Sequence, residues 1–245
     1  MSIAAYRSLL RLDFPTSFGL LDKMGTYADL IAHKTKEAGF KASSIEVDSV
    51  QRVIKAKVNG DGDSHLLQVQ PNLVIADVQH SKGNEIDSLA KHASFLLADS
   101  IVSALFDDGL SVINRIGFRV WLLDDRGKGS FNAVRDWFVD KNNDVSSSLA
   151  KVFSGTNDIA VVLEAKNDAS LDCRVIMGPY QSSERKKYFA FDPPVEEGLV
   201  LDVDMYHNNI ELPKPSVSKT ILNFQTQINL IADELSNITR GASSS

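Results

Sequence analysis

Val217, Ile221, Phe224, Ile228, Ile231, Leu235 and Ile238 follow one another at intervals of 4, 3, 4, 3, 4 and 3. That spacing predicts a helix over about 217–239 with a narrow apolar seam, and such a stripe has to be buried against another element. Ser216 stands at its start as a candidate N-cap. Leu222 and Leu230 lie beside the seam and widen it, which suits docking on a sheet. The alternative is a helix pair, with the helix predicted at 85–107 or with a second subunit. In the second case Ile221, Phe224, Ile228 and Ile231 form a homodimer interface.

The surface for that helix comes from strands. In 111–123, Ile116, Phe118, Val120 and Leu122 make one apolar face. The other face carries Arg115, Gly117 and Arg119, followed by Trp121 and Leu123. "YRSLLRLDF" alternates likewise and ends at Pro15, before a helix over about 17–38. "SIEVDSVQRVIKAKV" and "HLLQVQPNLVIADVQ" are two strand-like runs about the turn "NGDGDS". Asp61 and Asp63 in that turn lack the later ligands of a calcium loop, so the segment reads as a polar hairpin. A helix over 85–107 stops at Gly109. Ser130 is a candidate N-cap for the next helix, and "DIAVVLEAK", "LDCRVIMG", "KKYFAF" and "LVLDVDMY" read as four further strands.

The fold class that follows is α+β, with mostly antiparallel sheets and long helices packed on them. The order suggests two similar β-α-β-β-β-α halves, 1–109 and 110–245, which together can form one compact unit. An internal duplication is inferred from element order alone.

The 245 residues carry a net charge of −6, which argues against broad sequence-blind binding to nucleic acid. The single cysteine, Cys173, excludes an intrachain disulfide and reads as a buried thiol. No run approaches a membrane span, and Arg7 and Arg11 interrupt any leader-like segment, so the expected compartment is the cytoplasm. Phosphate-binding loops, GxSxG and HExxH are absent, and the five histidines are scattered without ligand spacing. No metal and no cofactor are expected.

Three constellations carry candidate chemistry. A strand ending in Glu164-x-Lys166 resembles the metal-binding strand of PD-(D/E)xK nucleases, where an upstream carboxylate such as Asp158 helps hold magnesium. Asp202 and Asp204 share a strand face and offer two carboxylates to a hard cation, with His207 or Glu211 nearby. Arg115 and Arg119 either seat a carboxylate or phosphate, with Gly117 leaving room between them, or pair with Asp202 and Asp204 across the sheet.

"HLLQVQPNLVIADVQ", "INRIGFRVWLL", "LVLDVDMY" and a closing helix that ends near "NIT" resemble a sporadically distributed family of bacterial proteins. Its members carry RIGxR and LDxD strands and a final helix with a similar ending. The resemblance implies that Arg115, Gly117, Arg119, Asp202 and Asp204 belong to a shared pattern. It also implies an accessory gene near defence or toxin–antitoxin systems. The expected function is therefore non-enzymatic: a binding protein, sensor or accessory subunit whose partner is another protein, itself or a neighbouring gene's product. The alternative is a metal-dependent phosphodiesterase using Asp158, Glu164 and Lys166.

Overall fold

A computed structural model describes residues 3–60, 63–150, 159–166, 171–210 and 216–240. Among these, nine strands form one antiparallel sheet. They are β1 (Ala4–Asp13), β2 (Lys41–Asp48), β3 (Val53–Gly60), β4 (Asp63–Gln70), β5 (Leu73–Asn84), β6 (Ile113–Asp125), β7 (Val161–Lys166), β8 (Leu171–Gln181) and β9 (Glu197–Ile210). The spatial order is β2-β3-β4-β5-β1-β6-β9-β8-β7. β1 and β6 pair at the centre, Leu10 opposite Phe118 and Leu12 opposite Ile116. The fold is α+β, and the regions 1–109 and 110–245 share this continuous sheet.

The helices are α1 (Phe18–Asp22), α2 (Met24–Glu37), α3 (Ala93–Asp107), α4 (Ser130–Lys141), α5 (Asn143–Ala150) and α6 (Val217–Arg240). α2 lies on β2, α3 on β4 and β5, and α4 on β8 and β9. α6 crosses β6 and β9 and packs beside α3. Period-two alternation explains why one side of the sheet takes α2, α3, α4 and α6. Leu10 and Leu12, Ala76 and Val78, Phe118 and Val120, and Leu201 and Val203 are fully buried in one core with Leu105, Phe224 and Ile228. At about 25 cal/mol per Å² of apolar surface, that burial is the main force holding the layers together.

Several elements depart from the sequence reading. Each of the two strand-like runs before residue 84 is a pair of strands: the first turns at residues 49–52, the second at Pro71–Asn72. At the first turn, the Asp48 carboxylate accepts from the Val50 and Gln51 amides at 3.0 and 2.8 Å, and Arg52 takes a left-handed φ of 55°. The chain order is thus β-α-α-β-β-β-β-α and then β-α-α-β-β-β-α, with a 3₁₀ turn at Ile86–Lys91 before α3. "KKYFAF" is no strand. Its two lysines end the 3₁₀ turn Ser182–Lys187, and Phe189 and Val195 close a second small core with Tyr6, Trp121, Leu123, Tyr180 and Val200. Gly129, not Ser130, is the N-cap of α4, and the Glu197 carboxylate accepts from the Phe131 amide at 2.8 Å.

The seam of α6 faces inward. Ile221, Phe224 and Ile228 are fully buried and Ile231 is partly buried against the chain's own core, so these four residues are not a free surface for a second subunit. Ala232 is buried where the narrow seam alone would not place it, and Ile238 is exposed. Electrostatics fix the helix at both ends. Asp99 of α3 accepts from the Val217 amide at 2.9 Å and from the Ser218 hydroxyl at 3.0 Å. At the other end Arg126 donates to the Thr239 carbonyl at 3.1 Å while paired with buried Asp124 at 2.9 Å.

Candidate functional site

Opposite the helices, the sheet has a face on which charged residues of neighbouring strands stand side by side. The register places Asp77 opposite Leu9, Leu9 opposite Arg119, Arg119 opposite Asp204, Asp204 opposite Arg174, and Arg174 opposite Glu164. Charge therefore alternates along most of one row that crosses β5, β1, β6, β9, β8 and β7, and cross-strand pairs of opposite sign are mutually stabilising.

The guanidiniums settle diagonally within this ladder. Arg119 grips Asp202 bidentately, Nε to Oδ1 at 2.7 Å and Nη2 to Oδ2 at 2.6 Å. Arg7 grips Asp77 in the same way at 3.0 and 2.8 Å. Both guanidinium carbons also stand over the ring of Trp121, at 4.5 and 4.6 Å from its centroid. The hydrogen bond from Arg119 to Asp202 raises the Arg119 pKa further. Arg115 is held more loosely. It lies 4.2 Å over the Tyr206 ring and 3.8 Å from Asp204, and its buried Nε makes no hydrogen bond. Burial pushes the Asp204 carboxyl upward, against the pull of Arg115, Arg119 and Arg174. A Cβ at Gly117 would lie at ordinary contact distance from Tyr206 and from Arg115 itself.

Glu164 and Lys166 lie on the edge strand β7. Glu164 is 3.6 Å from Arg174 and Lys166 is 3.9 Å from Asp172, all exposed or half-exposed. Asp158 and Glu211 lie outside the described residues. Cys173 is partly buried, and burial, then the Asp204 charge, push its thiol up to about 11.

A different constellation forms under the helices. Asp63 on β4 stands directly opposite His80 on β5. The fully buried His80 reaches the Asp63 carboxylate through Nδ1 at 2.8 Å and the Ser8 hydroxyl through Nε2 at 3.0 Å. This has the connectivity of a Ser-His-Asp triad, but Ser8 is fully buried in the middle of β1, so its oxygen cannot meet a substrate. His92, just before α3, puts its ring 4.6 Å from that of His80 and its Nδ1 3.9 Å from Asp63. The Asn84 amide nitrogen is 3.3 Å from a ring nitrogen of each histidine. Burial, then the neighbouring His80 and His65, push His92 down to about 4, so it is neutral at neutral pH. A cavity of about 400 Å³ opens beside Asp63, His65, Asn84 and His92, with Lys82 and Lys91 on its wall.

Sequence reading found the arginine face and missed the histidines. The signal was present in the hairpin: a two-residue turn at Pro71–Asn72 sets Gln70 opposite Leu73 and, seven residues on, Asp63 opposite His80. Reading residues 65–79 as one strand conceals that register. No protein-family model matches this chain, and no curated protein is similar to it in sequence.

Proposed function

We propose that this protein is a non-enzymatic binding or accessory protein that engages a protein partner through the helix-free face of its sheet. The observation that carries the reading is the pair of arginines, Arg7 and Arg119, each clamped by an aspartate and both set over Trp121. Arginine, tryptophan and tyrosine dominate the energetic centres of protein interfaces. Side chains already fixed by their own ion pairs lose little conformational freedom on association. The near balance of charge along the face favours a protein over a polyanion. The phosphodiesterase alternative has less support: Glu164 and Lys166 are engaged by Arg174 and Asp172 at an exposed edge.

The same reading extends to a sensor or partner subunit of a defence or toxin–antitoxin type system, with the partner encoded by a neighbouring gene. An internal duplication is consistent with the sheet order, which runs β1-β5-β4-β3-β2 outward on one side and β6-β9-β8-β7 on the other.

The test is affinity capture from a native host, repeated with the charge reversals Arg11→Glu and Arg174→Glu on the sheet face and Lys36→Glu on α2. The expected outcome is a stoichiometric partner retained by the wild type and by Lys36→Glu and lost from the two face variants. A lone monomer with no partner, or a partner indifferent to both face variants, overturns the proposal.

A further inference from the structure

We propose that Asp63, His80 and His92 form a binding site for a divalent transition metal ion of the zinc class, independent of the sheet-face reading. Among the described residues these three bring one carboxylate oxygen and two imidazole nitrogens within 4.8 Å of one another. The donor set selects the ion. Two imidazoles and one carboxylate suit zinc or its first-row neighbours, whereas calcium and magnesium prefer oxygen alone.

The distances are near what a single ion requires. Ligand atoms about 2.0–2.1 Å from a tetrahedral zinc lie roughly 3.3 Å from each other. Asp63 Oδ2 is 2.8 Å from His80 Nδ1 and 3.9 Å from His92 Nδ1, values on either side of that spacing. In the metal-free protein a proton bridges His80 Nδ1 and Asp63. With the ion bound, the same single ring proton sits on Nε2 and is donated to Ser8 Oγ, which frees the Nδ1 lone pair for the metal. A metal-bound histidine commonly has its remote N–H fixed by such a partner. Beside Nε2 of His92 stands the Asn84 amide nitrogen, so an ion on Nδ1, which leaves the ring proton on Nε2, requires the Asn84 amide to turn its oxygen toward that N–H.

Three protein ligands leave a fourth position, which is the pattern of an open site and not of a closed structural one. Asp63 and His92 line the cavity beside them, so an ion here is reachable from solvent, and Lys82 and Lys91 favour an anionic fourth ligand.

The experiment titrates zinc into chelator-stripped full-length protein in competition with a chromophoric chelator of micromolar affinity, and repeats it with cobalt, read by its visible absorption. The expected result is one equivalent bound. Asp63→Asn and His92→Gln, both outside the fully buried core, abolish competition and the cobalt spectrum. Ser8→Ala weakens binding by about 10- to 100-fold. His33→Gln, on the exposed face of α2, binds as the wild type does. Failure of the wild type to compete with the chelator overturns the proposal, as does wild-type affinity in both Asp63→Asn and His92→Gln.

Discussion

At Gly117 the sequence suggests room between the two arginines, and the structure leaves space for a methyl group. A Cβ built there meets Tyr206 Cβ at 3.5 Å and Arg115 Nε at 3.7 Å, ordinary contact distances. Gly117→Ala is therefore expected to fold and to gain roughly 0.4–1 kcal/mol, because alanine narrows the unfolded ensemble without native strain. A denaturant midpoint below that of the wild type would show that the strand needs glycine. The contrast is Gly198, whose added Cβ would collide with the Asp124 carbonyl, a backbone atom that cannot swing aside. Cys173 is likewise governed by its immediate surroundings. Raising a thiol from 9.0 to about 11 lowers its thiolate fraction roughly 100-fold at neutral pH. Alkylation of the native protein is expected to be slower than that of the urea-unfolded protein by at least that factor. Equal rates would mean the thiol is neither buried nor under the influence of Asp204.

At the scale of elements, local period was a good guide and turn chemistry a poor one. β1 and β6 were legible because alternation over eight or more residues has one interpretation. β2 was not separated from β3, nor β4 from β5, because the tight turns at 49–52 and 71–72 carry none of the glycine that marks the reversal between β3 and β4. "KKYFAF" has strand composition, yet its aromatic residues are taken by the second small core. α6 was legible as a helix with a seam, but not the device that holds its end. Asp124 and Arg126 are both buried, and the Ser236 hydroxyl donates to Asp124 at 2.7 Å. Arg126→Ala leaves the Asp124 carboxylate in the core without its arginine counter-charge, at a cost of about 3–5 kcal/mol in unfolding free energy. Removing both charges in Asp124→Ala/Arg126→Ala is expected to cost less than the arginine substitution alone. If the double variant is the weaker of the two by equilibrium denaturation, the pair itself, and not the avoidance of a stranded charge, stabilises the end of α6.

The histidine constellation belongs to the whole molecule, since Ser8, Asp63, His80 and His92 come from three strands and the N-cap of α3. No local spacing could announce it. It exists because β1 lies beside β5, which brings Ser8 under His80, and because α3 starts over the same point. Its consequence is a pH dependence of global stability in the metal-free protein. His92 has a pKa of 6.5 when unfolded and about 4 when folded, first from burial and then from His80 and His65. Between those values the unfolded chain binds the extra proton, so stability falls as pH drops through that window. The ceiling is about 3 kcal/mol, since each tenfold difference in proton affinity between the two states is worth about 1.36 kcal/mol. Asp204 acts in the opposite sense: its folded pKa is raised, so it binds its proton first in the native state and its contribution grows as pH falls. The two are separated by comparing urea denaturation of the wild type and His92→Gln from pH 7 down to pH 4 in the presence of a chelator. The wild type is expected to lose more stability across that range than the variant, with the difference concentrated below pH 6.5. Parallel pH profiles would place the His92 ring in contact with water, and the cluster would then hold no buried neutral imidazole at that position.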